Sequence, residues 1–141
     1  MIEVVNGQRK IPVNTEFWQQ FTAHAVTKIT ETEGKYLTLA FVSDRKMREL
    51  NKQFRGKNTT TDVLSFPFEA DEFETDENTL GDIVISVEQA ERQAVENNLD
   101  FEAEIKQLIL HGILHLCGYD HETDTGEMNA RELQLRDVLP I

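Results

Sequence analysis

A chain of 141 residues, 39% hydrophobic and 28% charged, has the size of one ordinary domain and enough apolar material to bury a core. No apolar run nears the roughly 18 residues of a membrane span. The start MIEVVNGQRK lacks the basic opening and apolar stretch of a signal peptide, and one cysteine, Cys117, excludes an internal disulfide framework; a cytoplasmic protein with no membrane partner is expected.

In chain order, IEVVN predicts a short first strand. Residues 14–32 predict a helix, with Asn14 as N-cap, Glu16 in the first turn, and Phe17, Phe21 and Ala25 on one apolar face beside Trp18. YLTLAFVS, residues 36–43, alternates and is rich in β-formers, so it predicts a strand. Residues 44–54 return to a helical period through Met47, Leu50 and Phe54. RGKNTTT is a loop. DVLSFPF, residues 62–68, is a strand expected at an edge, because Pro67 has no N–H for a ladder. The acidic EADEFETDEN predicts an insertion between strands, and GDIVIS, residues 81–86, the next strand. Ser86 with Gln89 has the pattern of a capping box for a helix over 87–98. Asp100 is placed to cap a long helix to about Cys117, which Gly118 ends in a left-handed conformation. Asp124 with Glu127 predicts a cap for a last helix, stopped by Pro140. The sum is an α+β fold over residues 1–141: a single mixed β-sheet with helices packed on it.

The net charge of −12 argues against general attraction to nucleic acid, because phosphate binding is driven largely by Lys and Arg. The distribution is uneven. Between Asp44 and Lys57 stand Arg45, Lys46, Arg48, Lys52, Arg55 and Lys57 against Asp44 and Glu49, a balance of +4 that leaves −16 on the rest. Such a run is either a solvated helix face or a track for phosphates.

Three of the four histidines fall within eleven residues, HGILHLCGYDH. On a helix His111 and His115 project from one face, offset by about 40°. The turn GYD can swing His121 back over that face, so three imidazoles can converge on one ion and leave a fourth position open, as in catalytic zinc sites. Cys117 lies about 200° around the helix from His115 and is expected to be a small buried apolar residue. Ile105, Leu108, Ile109, Ile113, Leu114 and Leu116 make this the central, apolar, metal-binding helix of the fold. Histidines among such neighbours are costly without partners. The spacing also occurs in metzincin peptidases, where a glutamate follows the first histidine as general base. Here that position is Gly112, which counts against proteolysis.

HGILHLCGYDH matches the signature H-G-x-L-H-L-x-G-Y-D-H of the YbeY family of bacterial rRNA maturation factors at every fixed position. FRGKNTTTDVLSFPF resembles that family's R-G-K-x-x-x-T-D-V-L-S-F-P-F segment, and LGDIVIS is a third match. The likeness is detailed over roughly residues 50–128 and covers the first 45 in layout only. Thr60 stands where many members have proline. The resemblance implies a zinc-dependent, single-strand-specific endoribonuclease that processes the 3′ end of 16S rRNA and acts in late ribosome quality control. It places His111, His115 and His121 at metal-ligand positions, with one Zn2+ per chain, and Arg55 at that of a required arginine. Ribosomal proteins or an assembly GTPase are the partners it suggests. Arg45, Lys46, Arg48, Lys52 and Lys57 would then guide the RNA backbone.

Tyr119 either stacks a base or packs as an ordinary aromatic. Asp120 either orients a histidine or caps the turn. Ser65 and Asp82 either line the cleft or serve packing and turns. The open metal position favours hydrolysis that leaves no 2′,3′-cyclic phosphate. Two other classes compete: a zinc hydrolase of peptides, and a non-catalytic ribosome-assembly factor whose metal only fixes the fold.

Overall fold

The computed structural model describes residues 2–68, 78–120 and 125–139. Its strands are β1 (Glu3–Asn6), β2 (Tyr36–Val42), β3 (Val63–Pro67) and β4 (Thr79–Ser86). They form one sheet in the order β1-β2-β4-β3. β1, β2 and β4 run parallel, and β3 pairs antiparallel with β4 at the edge, Leu64 opposite Val84 and Pro67 opposite Gly81. The expected mixed sheet and edge strand are both present. Most of the acidic insertion, residues 69–77, lies outside the described residues.

Alternation along the strands splits the core into two layers. Leu37, Leu39 and Phe41 of β2 and Ile83 and Ile85 of β4 face one way. They meet Trp18, Phe21 and Ala25 of α1 (Thr15–Lys28) and Ile105, Ile109 and Ile113 of α4 (Phe101–Leu116). On the other face, Val42, Leu64 and Val84 take Met47 of α2 (Asp44–Arg55), with Leu50 and Phe66 packed at the margin. Each aliphatic side chain so buried contributes about 1.5–3 kcal/mol. α3 (Val87–Glu96) and α5 (Glu127–Val138) complete the helices among the described residues. None of these helices is long and apolar enough to cross a membrane.

The caps follow the local chemistry with informative departures. Asn14 Oδ1 accepts from Phe17 N at 3.1 Å, and Asp100 Oδ1 accepts from Ala103 N at 2.7 Å. The first helix stops at Lys28, short of the expected residue 32: Ile29 turns extended and is wholly buried, and only a 3-10 turn, Thr30–Thr32, follows. Burying that β-branched side chain outweighs continuing the helix. The capping box is half made. Ser86 Oγ accepts from Gln89 N, but the Ser86 N–H donates to Asp62 O at 2.9 Å, and Gln89 turns to Gln93 and Arg92. α3 ends at Glu96, two residues early. α5 begins on Gly126 with no side-chain cap bond, while Asp124 and Pro140 lie outside the described residues.

α4 crosses the sheet closely at Gly112, where a side chain would crowd its neighbour. A Cβ on Gly112 would stand 3.0 Å from both Cδ1 and Cγ2 of Ile83, itself fully buried. Gly112→Ala is expected to lower stability by about 1 kcal/mol: overpacking costs roughly 1–3 kcal/mol, and the better helix former returns at most about 1. Chemical denaturation measures the difference.

Candidate functional site

The C-terminal half of α4 and the edge strand β3 border a cleft of about 540 Å³. His111 and His115 form one wall, and Gly118, Tyr119 and Asp120 of the following turn close one end. Val63, Ser65 and Pro67 of β3 line the cleft as well, together with Thr61, Asp62 and Arg55. Ser65 Oγ donates to Gly112 O at 3.4 Å, joining strand to helix beneath the histidines. Asp82 does not line this cleft: it is exposed opposite Phe66, in the alternation that faces α2.

The helical spacing brings the two imidazoles together. Their rings lie 4.5 Å apart at 76°, and the two Nε2 atoms stand 3.0 Å apart. His111 Nδ1 lies 2.8 Å from Glu132 Oε1 of α5. A carboxylate only accepts, so Nδ1 carries the proton and Nε2 of His111 turns its lone pair toward His115. A carboxylate behind a histidine in this way fixes ring and tautomer in metal sites. Two nitrogens on one tetrahedral zinc, each 2.0–2.1 Å away, lie roughly 3.3 Å apart; the convergent Nε2 pair fits that donor set. Among the described residues no group of three His, Cys, Asp or Glu is gathered to hold an ion. His121, the third member expected, lies outside the described residues. Cys117 is half-buried on the main core, its thiol pushed up to about 11 chiefly by burial.

Glu132 escaped the sequence analysis, and so did the clamp beside it. Arg131 of α5 donates to both oxygens of Glu31, Nη2 to Oε1 at 2.7 Å and Nε to Oε2 at 2.8 Å, and Tyr119 Oη donates to Oε2 at 2.9 Å. Tyr119 therefore packs on the core and anchors its turn by the hydroxyl. The Arg131 guanidinium holds the Glu31 carboxyl down to about 2, against the opposing effect of burial. A depressed carboxyl stabilises the fold above its unfolded value and loses that contribution as pH falls through the folded one. Stability is expected to decline between about pH 4.5 and about pH 2, and Glu31→Gln should flatten that part of the curve in denaturant titrations across the range.

The loop leading into β3 is pinned from two sides. Asn51 Nδ2 donates to Thr59 O at 2.8 Å, and Thr60 Oγ1 donates to Asp44 Oδ1 at 3.1 Å. Asp44 also accepts from Ser86 Oγ at 2.6 Å and from Arg92 Nη2 at 2.7 Å. Burial raises its pKa, but these donors outweigh it and the net shift is downward. Asp62 accepts from Val63 N at 2.7 Å and from Gln93 Nε2 at 3.1 Å, so its carboxylate holds the strand entry.

Of the basic run, Arg55 alone lines the cleft. Arg45, Arg48, Lys52 and Arg55 share one stripe of α2, by their spacing of three and four. Arg45 and Lys46 each stand 3.9 Å from Glu49. Lys46 lies roughly 200° around the helix from Arg48, off the stripe. Lys57 is exposed beyond Gly56. Arg48, Lys52, Arg55 and Lys57 have no carboxylate partner among the described residues.

The sequence model of one family, described as Endoribonuclease YbeY, matches residues 3–139. The chain belongs to the YbeY family. A YbeY relative from Clostridioides difficile, named Endoribonuclease YbeY, is 46% identical over 110 residues, 74% of this chain and 72% of that protein. Another of the same name, from Thermodesulfovibrio yellowstonii, is 38% identical over 146 residues, covering 94% and 90%. The YbeY fold is also similar to the solution structure of TM1509 from Thermotoga maritima, with TM-score 0.67 and 29% identity over 98% of this chain and 89% of that one.

Proposed function

We propose that this YbeY-family protein is a zinc-dependent, single-strand-specific endoribonuclease of 16S rRNA 3′-end maturation and late ribosome quality control. The observation that carries the proposal is the convergence of His111 and His115 Nε2 at 3.0 Å in a cleft that Arg55 also lines. His111 and His115, with His121, would hold the ion. Zinc there would supply Lewis acidity toward a phosphoryl oxygen and acidify a water for hydrolysis. Glu132 holds the His111 ring and its proton. Arg55 presents a planar fork that matches two oxygens of one phosphate. Arg48 and Lys52 draw the backbone along α2, and the acidic remainder keeps RNA off other surfaces. The peptidase alternative is disfavoured at Gly112, where any side chain would start against Ile83. Ribosomal proteins or an assembly GTPase would select the site on the rRNA, and a pulldown with and without ribosomes tests for them.

The deciding experiment incubates zinc-loaded protein with a single-stranded RNA carrying the 16S 3′ region and with the same sequence in a duplex. Cleavage of the single strand, lost on chelation and leaving no 2′,3′-cyclic phosphate, is expected. RNA left intact at stoichiometric enzyme overturns the proposal. Glu132→Gln should weaken zinc affinity about 10–100-fold, as loss of an outer partner does elsewhere, measured by competition with a chromogenic chelator.

A further inference from the structure

Phe54 occupies the last turn of α2, next to Arg55. It is 57% exposed, at the end of the apolar stripe of α2 that carries the buried Met47 and the partly buried Leu50. Its ring is held against Phe66 of β3, centroids 5.1 Å apart at 66°. Phe66 is anchored in turn on the small core between α2 and the sheet. The pair is thus a supported aromatic surface at the sheet edge, one residue before the arginine that lines the cleft. The next residue, Arg55, lines the cleft and lacks a carboxylate partner among the described residues. An apolar protein surface laid over this ring and Arg55 would leave that charge to be desolvated without a partner. A nucleotide satisfies both features, because its base offers a π-face and its phosphate a charge.

We infer that Phe54, supported by Phe66, is a stacking subsite for an unpaired nucleobase of the RNA whose phosphate Arg55 grips. The inference rests on the endoribonuclease proposal and deepens it. Only a base outside a duplex can present its face to the ring, so the subsite selects single strands before any bond is broken.

The test uses zinc-loaded full chain and a short single-stranded RNA carrying 2-aminopurine, with Phe54→Ala, Phe54→Leu and Phe54→Trp. Wild type and Phe54→Trp should quench the 2-aminopurine when it reaches the subsite. Phe54→Ala and Phe54→Leu should bind about 5- to 150-fold more weakly, the scale of one base–aromatic stack. The loss should appear in KM and leave kcat near wild type, as for binding shared by ground and transition states. Phe54→Leu keeps an apolar side chain beside Phe66 and controls for folding. An abasic scan with wild-type protein asks the same question from the RNA: one position should show the same loss. If wild type cleaves the RNA while both small variants match it, or no abasic position weakens binding, the subsite is overturned and the exposed ring belongs to a protein contact. If wild type neither binds nor cleaves RNA, the endoribonuclease proposal falls, and the subsite with it.

Discussion

Replacing His115 with alanine is expected to empty the site of zinc and reduce RNA cleavage to background, a loss of at least about 100-fold, beyond the range seen when only an outer partner is removed. The imidazole Nε2 stands 3.0 Å from that of His111, so truncation leaves one converging nitrogen where the structure has two. The ring borders the cleft and is only partly buried, and alanine is the best helix former. The fold should therefore survive. Metal content by mass spectrometry, with circular dichroism as control, reads the outcome. A variant that keeps full zinc and full cleavage would remove the histidine pair from the site.

The second large effect belongs to Arg55. Its side chain is exposed, lines the cleft, and has no ion-pair partner among the described residues, so its removal should leave thermal stability unchanged. Cleavage by Arg55→Ala should fall about 10²–10³-fold, the range for losing one preorganised donor to a developing oxyanion. Arg55→Lys restores the charge without the fork and should recover only part of the loss. Full recovery by lysine would mean that Arg55 supplies charge alone. Under a binding-only role, cleavage would be absent in wild type and variant alike.

The parts of this molecule that were legible in the sequence are those determined within one turn of chain. Histidines four apart on an apolar helix, a glycine after its last turn, and asparagine or aspartate at helix starts all carry their geometry locally. Pro67 likewise marked the edge strand. Contacts between elements were illegible. Glu132 meets His111 from 21 residues away on a separate helix, and nothing in its own neighbourhood distinguishes it from other surface glutamates. Arg131 and Glu31 are 100 residues apart. Ile29 looked like one more helical residue until its burial against the sheet was known. The Ser86 and Gln89 spacing read as a capping box because the competing acceptor, Asp62 O, comes from the distant residue that leads into β3. Asp82 fell in a matched segment, yet strand alternation points it away from the cleft.

α5 has a consequence for when activity begins. A chain is synthesised from its N-terminus, and the sheet with α4 precedes residues 127–138 in that order. Until α5 docks, His111 lacks the Glu132 carboxylate that orients its ring, and the turn carrying Tyr119 lacks the Arg131–Glu31 clamp. A nascent chain therefore holds its histidines without the groups that aim them. The histidine pair is held in its final geometry only once residues 127–138 have been made and docked.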